Sequence, residues 1–141
     1  MAQWDSLWID ANVATMASGE RLAFFNGFGG FAQEGREYHI SARPPTPWSN
    51  IVANEKFGFT ATESNLGTTW SENSYQNRLT PWHNDPVVDP AGEVLYLRDD
   101  ANGEFWSATA SPAGSGIAYN ARFGQGYVVY EHRHRKLAVE L

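Results

Sequence analysis

The chain has 141 residues, which is enough for one domain with a hydrophobic core. Its formal net charge of -6 argues against a nucleic-acid partner, and the absence of cysteine excludes disulfides, thiol catalysis and cysteine-bound metals. Aromatic residues make up 14% of the chain and charged residues only 18%, and this composition favours β-structure over a helical bundle.

The N-terminal residues 1–20 have no clear period, and we expect a connector or a short helix there. Asp5 or Ser6 is a suitable helix cap, and Gly19 is a suitable end. The segment lacks the basic and apolar regions of a signal peptide, and no run in the chain approaches the roughly 20 apolar residues of a membrane helix. We therefore expect a cytoplasmic location and no membrane segment in this chain.

From residue 21 to residue 141 the pattern is that of short strands separated by turns. Segment 36–42 alternates, with Tyr38 and Ile40 on one face and Glu37 and His39 on the other. Segment 43–48 contains three prolines and is not expected to be a central strand. The predicted strand segments are 22–25, 36–42, 57–63, 68–71, 93–99, 104–109, 116–122, 126–132 and 136–141. Short strands in this number, separated by turns, predict an antiparallel β-sandwich.

Tight turns are predicted at several points between these strands. The turn residues are Asn26-Gly27, Asn65-Leu66-Gly67, 100–103 and Phe123-Gly124-Gln125. The last predicted strand reaches the final residue, and from this we expect the chain to be part of a longer protein.

The segment 70–86 carries the clearest functional signal. It has no helical or strand period, so we expect an ordered loop. Its rings stand among amide, carboxylate, guanidinium and imidazole groups: Trp70, Glu72, Asn73, Tyr75, Asn77, Arg78, Trp82, His83, Asn84 and Asp85. Flat rings cover the C–H face of a pyranose, and planar polar groups bind its hydroxyls in pairs. The alternative is a structured loop whose rings belong to the core and whose Asx residues form turns.

Two other motifs are less specific. The glycine-rich segment 26–31 lacks the helix and lysine of a phosphate loop, so we expect a glycine turn with two buried phenylalanines, Phe28 and Phe31. His132 and His134 would share one strand face, but no carboxylate partner can be assigned to them. We therefore predict that no metal is bound.

Four carboxylates are candidates for glycoside chemistry, which needs two carboxyl groups roughly 5–10 Å apart. They are Glu63, Glu72, Asp85 and Asp89. Each of the two aspartates precedes a proline, and for both we favour a role in turns. No nucleophile elbow or other catalytic motif is present, so no catalytic residue is predicted.

Several segments in a fixed order resemble glycoside hydrolase family ninety-four, which contains cellobiose and chitobiose phosphorylases. They read GREYHI at 35–40, PTPWSNIVAN at 45–54, FGF at 57–59, TTWSENSYQNRLTPWHNDPV at 68–87, GEVLYLRD at 92–99 and GEFWSAT at 103–109. The NGFGGF segment at 26–31 and the NRLTPWHNDP form of the loop are most similar to the phosphorylase-like region of the family's cyclic β-1,2-glucan synthases.

The resemblance implies a fold, and it implies which domain carries the chemistry. Family members begin with a large β-sandwich of the galactose-mutarotase type, and a helical linker and an (α/α) six-fold barrel follow. Residues 21–141 would then be the first part of that sandwich. Family chemistry is inverting phosphorolysis, with an acid Asp and a phosphate site in the barrel. This chain would therefore need no cofactor and would not catalyse by itself, whereas the parent enzyme would use inorganic phosphate or a sugar phosphate.

The resemblance also implies partners. Sandwich loops in the family help to form the sugar site and the dimer contact, and this role transfers best to Trp70, Arg78, Trp82, His83 and Asn84. Cellobiose phosphorylases differ in this loop, so a β-1,2-glucan oligosaccharide is the expected ligand. The other expected partners are the remainder of the parent polypeptide and a second copy. The parent is expected in the cytoplasm or at the inner membrane, with this region on the cytosolic side.

The leading hypothesis is a carbohydrate-contacting and assembly domain of a cyclic β-1,2-glucan synthase or a related β-glucan phosphorylase. Two alternatives remain open at this point. One is a free-standing carbohydrate-binding module, and the other is a purely structural or interaction domain in which every ring is buried.

Overall fold

The computed structural model describes residues 14–15, 21–81, 83, 85, 87–114 and 116–141. Regular secondary structure in these residues consists of twelve strands and one 3-10 turn at Gln33–Gly35. The strands are β1 (Ala14–Thr15), β2 (Arg21–Leu22), β3 (Gly29–Ala32), β4 (Glu37–Ile40), β5 (Ser49–Ala53), β6 (Phe57–Thr62), β7 (Leu66–Ser71), β8 (Tyr96–Arg98), β9 (Phe105–Ser107), β10 (Tyr119–Gly124), β11 (Tyr127–His134) and β12 (Leu137–Glu140). None of the helical structure in this described part is long and apolar enough to cross a membrane.

Two antiparallel sheets form the sandwich, and the predicted all-β fold is confirmed. The larger sheet has the strand order β12-β11-β10-β4-β3, and the smaller has the order β5-β6-β7. Two short ribbons, β1-β2 and β8-β9, accompany them. Strands β10, β11 and β12 follow one another as a meander, whereas β4 joins β10 from a distant part of the chain.

The core lies between the two sheets. Its centre consists of four side chains that are at most 3% exposed: Ile40, Ala61, Ala121 and Tyr130. The Tyr130 hydroxyl lies 2.7 Å from Thr62 O and 2.9 Å from Asn65 O, so the buried O–H has partners in the opposite sheet. This tyrosine therefore joins the larger sheet to the turn that follows β6.

Strand β4 shows the predicted alternation, but both of its faces are covered. Tyr38 and Ile40 face the core. Glu37 and His39 face the other way, yet they are only 3% and 8% exposed. Their side chains pair, with Glu37 Oε2 2.7 Å from His39 Nε2. A carboxylate at such low exposure needs a partner of this kind.

Neighbouring strands bring further polar groups to Glu37. The Tyr127 hydroxyl donates a hydrogen bond to Glu37 Oε1, and Arg122 Nη1 lies 3.6 Å from Glu37 Oε2. The bond from Tyr127 is the main reason that the pKa of Glu37 lies below its ordinary value, and burial acts in the opposite direction. Arg122 also bridges to Glu131 at 3.0 Å.

Local turn chemistry places a turn at Asn26 as predicted, and two hairpins form in the segments where the sequence predicts them. Asn26 Oδ1 accepts the N–H groups of Phe28 and Gly29 at 3.1 Å, and this turn leads into β3. The β8–β9 and β10–β11 hairpins and the final strand β12 also agree with the prediction.

Other boundaries differ from the prediction. Strands β3 and β5 were not predicted. Strand β3 lies largely within the segment expected to be a glycine turn and pairs with β4, and β5 pairs with β6 directly after the proline-rich segment. The turn between β6 and β7 covers 63–65 rather than 65–67, and the β10–β11 turn covers 125–126 rather than 123–125. Gly124 lies within β10, where it pairs with Tyr127 and Glu37, and the Tyr127 ring packs on it. A Cβ at this position would lie 2.2 Å from Tyr127 Cζ.

The expectation of two buried phenylalanines in the glycine-rich segment is wrong, because neither ring is fully buried. Phe28 is half-buried and contacts Trp48 edge-on at 6.1 Å between ring centroids. Phe31 is 41% exposed, although its ring meets Tyr38 at 4.8 Å. Phe31 lies on β3 at the edge of the larger sheet, where one side of the side chain stays open to solvent.

Most of the N-terminal segment 1–20, including the proposed caps Asp5 and Ser6, lies outside the described residues. The exception is β1, which pairs with β2 in an antiparallel ribbon. The division of the chain at residue 21 stays a prediction.

Candidate functional site

The segment after β7 turns back and pairs with the edge of that strand. Ser71 N–H donates to Asn77 O at 3.0 Å, and Leu79 N–H donates to Thr69 O at 2.8 Å. Thr69 N–H in turn donates to Thr80 Oγ1 at 2.9 Å. The first half of the predicted loop is therefore fixed by backbone bonds to the sandwich.

The tip of this returning segment, residues 72–76, is organised by an asparagine. Asn73 Oδ1 accepts the N–H groups of Tyr75 and Gln76, both at 2.9 Å. This is the local turn role expected of Asx residues. It leaves the Tyr75 side chain 80% exposed at the tip.

The pairing brings Trp70 and Arg78 side by side. The two residues form an antiparallel bridge, and bridge partners project from the same face of a sheet. Arg78 Nε donates a hydrogen bond to Ser74 O at 2.7 Å, and this bond fixes the Nε side of the guanidinium group. The guanidinium carbon lies 5.6 Å from the centre of the Tyr75 ring, within the range of a cation–π contact.

Trp70 belongs to the outer face of the smaller sheet. Phe59 and Ala61 of β6 face the core, so Gly58, which precedes Phe59, and its cross-strand partner Trp70 face the other way. A Cβ at Gly58 would lie 2.4 Å from Trp70 Cζ2, so only glycine allows the indole to approach this strand so closely. Trp70 is half-buried by this contact and lies outside the central core cluster.

The structure thus unites two of the five candidate sugar contacts, Trp70 and Arg78. His83 is exposed on the same loop. Trp82 and Asn84 lie outside the described residues. A role for the five residues in sugar binding stays a prediction.

The two aspartates of this loop have different roles. Asp85 Oδ1 accepts the N–H groups of Val87 and Val88 at 2.9 and 3.2 Å, so the predicted turn role is confirmed for Asp85. The same expectation is wrong for Asp89, whose carboxylate accepts bonds from the turn that follows β6. Its donors are Thr62 Oγ1 at 2.7 Å, Asn65 Nδ2 at 3.0 Å and Ser64 Oγ at 3.1 Å.

Glu63 and Asp89 lie close together, with Ser64 Oγ between them. The hydroxyl oxygen is 3.4 Å from Glu63 Oε1 and 3.1 Å from Asp89 Oδ2. Burial raises the pKa of Glu63, and its Oε2 accepts the backbone N–H of Trp48 at 2.9 Å. Both carboxylates are thus held by donors of the protein itself, and we assign them a structural role rather than glycoside chemistry.

A cavity of about 360 Å³ opens beside Glu63. Its lining includes Ile40, Ser41, Arg43, Glu63, Ser111 and Tyr119. The Glu63 carboxyl group already forms hydrogen bonds with Trp48 and Ser64. This buried carboxyl group is therefore not left unpaired for a ligand in the cavity. We assign no ligand to it.

The two histidines of β11 each have a partner other than a metal. His132 Nε2 accepts the indole N–H of Trp106 at 2.9 Å, and burial lowers the pKa of His132. His134 Nε2 lies 2.9 Å from Glu104 Oε1. Within the described residues no three His, Asp or Glu side chains are grouped so that they can hold a metal ion.

Comparison with known proteins identifies a family match over residues 36–141, to the domain described as Glycosyl hydrolase 94, supersandwich domain. The chain is 39% identical over 136 residues to the cyclic beta-(1,2)-glucan synthase NdvB of Rhizobium meliloti (strain 1021). It is 33% identical over 105 residues to the N,N'-diacetylchitobiose phosphorylase of Vibrio furnissii, and 31% identical over 109 residues to that of Vibrio proteolyticus.

These alignments cover most of this chain and little of the relatives. The match to the glucan synthase spans 93% of this chain and 5% of that protein. The matches to the two phosphorylases span 71% and 74% of this chain, and 13% and 14% of those proteins.

Proposed function

This chain belongs to the glycosyl hydrolase 94 family, and we propose that it is a carbohydrate-contacting and assembly domain of a β-glucan-processing enzyme. The observation that carries the proposal is the pairing of Trp70 with Arg78 on the outer face of the smaller sheet. The relatives named as a glucan synthase and as phosphorylases support a sugar as the ligand, and the glucan synthase favours a β-1,2-glucan.

The chemistry of this surface suits a neutral sugar. An indole ring on an outer face offers an apolar surface to the C–H groups of a pyranose, and a guanidinium beside it can donate to two hydroxyls. Tyr75 extends the surface with a second ring, which is 80% exposed. The net charge of -6 makes an anionic polymer a poorer partner than an uncharged glucan.

Assembly is the second part of the proposal. In the described residues β12 pairs with β11 on one side only, so the other edge of β12 is available to another strand. Strand edges of this kind pair readily with a further segment of the same polypeptide or with a second copy.

The test is a titration of the chain with β-1,2-linked gluco-oligosaccharides, with β-1,4-linked gluco-oligosaccharides and chito-oligosaccharides as comparison ligands. We expect the β-1,2 series to bind most tightly. Trp70→Ala should cost roughly 1–3 kcal/mol of binding free energy, the usual scale for losing a ring contact. Isothermal calorimetry gives the affinity, and thermal unfolding of the same samples gives the Tm.

Ile51→Ala is the matched control. Ile51 is 65% exposed on the same outer face but offers no ring, so its loss should change neither affinity nor Tm appreciably. A rival role for Trp70 as a packing residue predicts a loss of roughly 3–5 kcal/mol of stability instead. A collapsed Tm in Trp70→Ala, or equal affinities for Trp70→Ala and wild type, would refute the proposed site.

A further inference from the structure

The β8–β9 ribbon is attached to the larger sheet by side chains and not by strand pairing. Its two strands pair with each other, and in the described residues neither belongs to the order β12-β11-β10-β4-β3. Tyr96 and Phe105 leave one side of the ribbon exposed to solvent. A two-stranded ribbon is marginally stable by itself in water, so its order depends on the contacts of its other side.

Trp106 provides the main contact of that other side. It is 4% exposed, and its Nε1 donates a hydrogen bond of 2.9 Å to His132 Nε2 on β11. His132 is equally buried, and the Tyr119 ring of β10 lies against it at 4.5 Å between ring centroids. The Tyr119 hydroxyl also donates to Ser107 O at 2.8 Å. Strands β10 and β11 therefore both hold β9 through ring side chains.

The bond between Trp106 and His132 fixes the protonation state of the histidine. An indole N–H can only donate, so His132 Nε2 must be unprotonated to accept it. The proton of the neutral ring is then on Nδ1, which has no hydrogen-bond partner among the described residues. A second proton on Nε2 would set two N–H groups against each other and would bury a charge that no acceptor compensates. A charged His132 is thus incompatible with this bond.

The groups around His132 do not compensate such a charge. His134 follows two residues later on β11 and lies on the same face. Its Nε2 is 2.9 Å from Glu104 Oε1, and Arg135 also pairs with the Glu104 carboxylate, so this carboxylate already has two partners. The neighbour of His132 on β12 is the uncharged Val139. Burial and, to a lesser extent, the charge of His134 lower the pKa of His132.

We propose that the contact between Trp106 and His132 is a pH-sensitive switch, which attaches the β8–β9 ribbon to β11 while His132 is neutral and favours detachment of the ribbon when His132 is protonated. Detachment exposes the charged ring to water and separates it from the indole N–H. The attached state prefers the neutral histidine, so attachment is strongest above the ordinary histidine pKa of about 6.5 and weakens as the pH falls below it. This switch does not depend on sugar binding.

Hydrogen exchange of the ribbon in the complete 141-residue chain tests the switch. The reporters are the indole N–H of Trp106 and the backbone N–H groups of Asp99 and Ala108, which form hydrogen bonds at the two ends of the ribbon. Protection factors remove the intrinsic effect of pH on exchange. We expect them to fall roughly 10-fold from about pH 7.5 to about pH 5.5, because the detached state takes up a proton over this range.

His132→Gln is the matched variant, because the glutamine amide oxygen can accept the indole N–H at every pH. Its ribbon should stay protected down to about pH 5.5. His134→Gln removes the other histidine of this face, and its ribbon should lose protection as the wild-type ribbon does. The backbone amides of the β10–β11 ladder report on the rest of the fold and should keep constant protection in all three proteins.

The proposal is overturned by a wild-type ribbon whose protection does not change with pH, or by an equal loss of protection in His132→Gln. A loss that the β10–β11 ladder shares, or one that His134→Gln abolishes, also contradicts it. The imidazole ¹⁵N shifts of the wild-type chain give a test that needs no variant. At about pH 7.5 His132 should be neutral with its proton on Nδ1, and a proton on Nε2 there would overturn the switch.

Discussion

At the scale of single residues, Glu37 shows how a carboxylate is kept charged although it is 3% exposed. Tyr127, His39 and Arg122 all favour its ionised form, and together they outweigh the cost of burial. The pKa of Glu37 in the folded state therefore lies below the ordinary value. A depressed pKa of this kind adds stability above the ordinary pKa, and that stability is lost as the pH falls through the folded-state pKa.

We therefore expect Tyr127→Phe to destabilise the chain more at neutral pH than under acidic conditions. The variant lacks the hydroxyl that lowers the pKa of Glu37, so the difference in Tm between wild type and variant should shrink once Glu37 is protonated in both. Thermal unfolding from pH 7 down to pH values below 4.5 measures this. Burial raises the pKa of Glu63, so its contribution to stability changes with pH in the opposite direction to that of Glu37. Comparing the variant with wild type at each pH cancels this contribution.

Tyr96→Phe is the control for that experiment, since Tyr96 is 52% exposed on β8. Its effect on Tm should be small and independent of pH. A Tyr127→Phe deficit that stays constant down to the lowest pH would show that the bond to Glu37 does not depend on the charge of the carboxylate.

At the scale of elements, β12 has the features of an edge that accepts another strand. Tyr130 and Leu141 exchange two backbone bonds of 2.9 Å, so by antiparallel alternation Ala138 and Glu140 direct their N–H and C=O groups away from β11. A second copy that pairs about Ala138 would place Lys136 opposite Glu140 and Leu137 opposite Val139. Both cross-strand pairs are favourable, one by charge and one by apolar contact.

We accordingly expect the isolated chain to form a dimer or a larger oligomer through β12. Ala138→Pro removes an N–H that points away from β11, so it should weaken association while preserving the β11–β12 ladder. Sedimentation equilibrium over a range of concentrations gives the oligomeric state, and circular dichroism verifies that the β-fold is retained. A wild-type chain that stays monomeric at high concentration would contradict this prediction.

At the scale of the whole molecule, the chain spans 5% of the glucan synthase and 13–14% of the phosphorylases that it matches. Two neighbouring carboxylates, the buried Glu63 and the partly buried Asp89, are held by donors of the sandwich, and Asp85 caps a turn. These three carboxylates form hydrogen bonds within the described structure, and the placement of the chemistry in a barrel outside this chain stays a prediction.

The purified chain should therefore release no glucose 1-phosphate from β-glucans in phosphate buffer. An enzyme-coupled assay for glucose 1-phosphate measures this, with a full-length family member as the positive control. Activity that survives re-purification and is lost in Glu63→Gln or Asp89→Asn would disprove the assignment of chemistry to another domain.

The sequence alone determined the features that depend on neighbours in the chain. Alternation predicted β4 and the β8–β9 hairpin, and Asx chemistry predicted the turns at Asn26 and Asp85. Each of these features is set by residues a few positions apart, so a local pattern suffices to find it. The aromatic and Asx-rich composition of the segment after β7 was visible for the same reason.

Only the tertiary structure decided the features that depend on contacts between distant segments. Strand β5 follows three prolines and forms because β6 offers it a partner. Glu37 is buried because distant strands supply Tyr127 and Arg122 to it. Trp70 lies beside Arg78 because their backbones form a bridge. The Asp89 carboxylate accepts hydrogen bonds from Thr62 and Asn65 of the sandwich instead of capping its own turn. Such partners leave no local period in the sequence, since the energy that selects them comes from hydrogen bonds and packing across the folded chain.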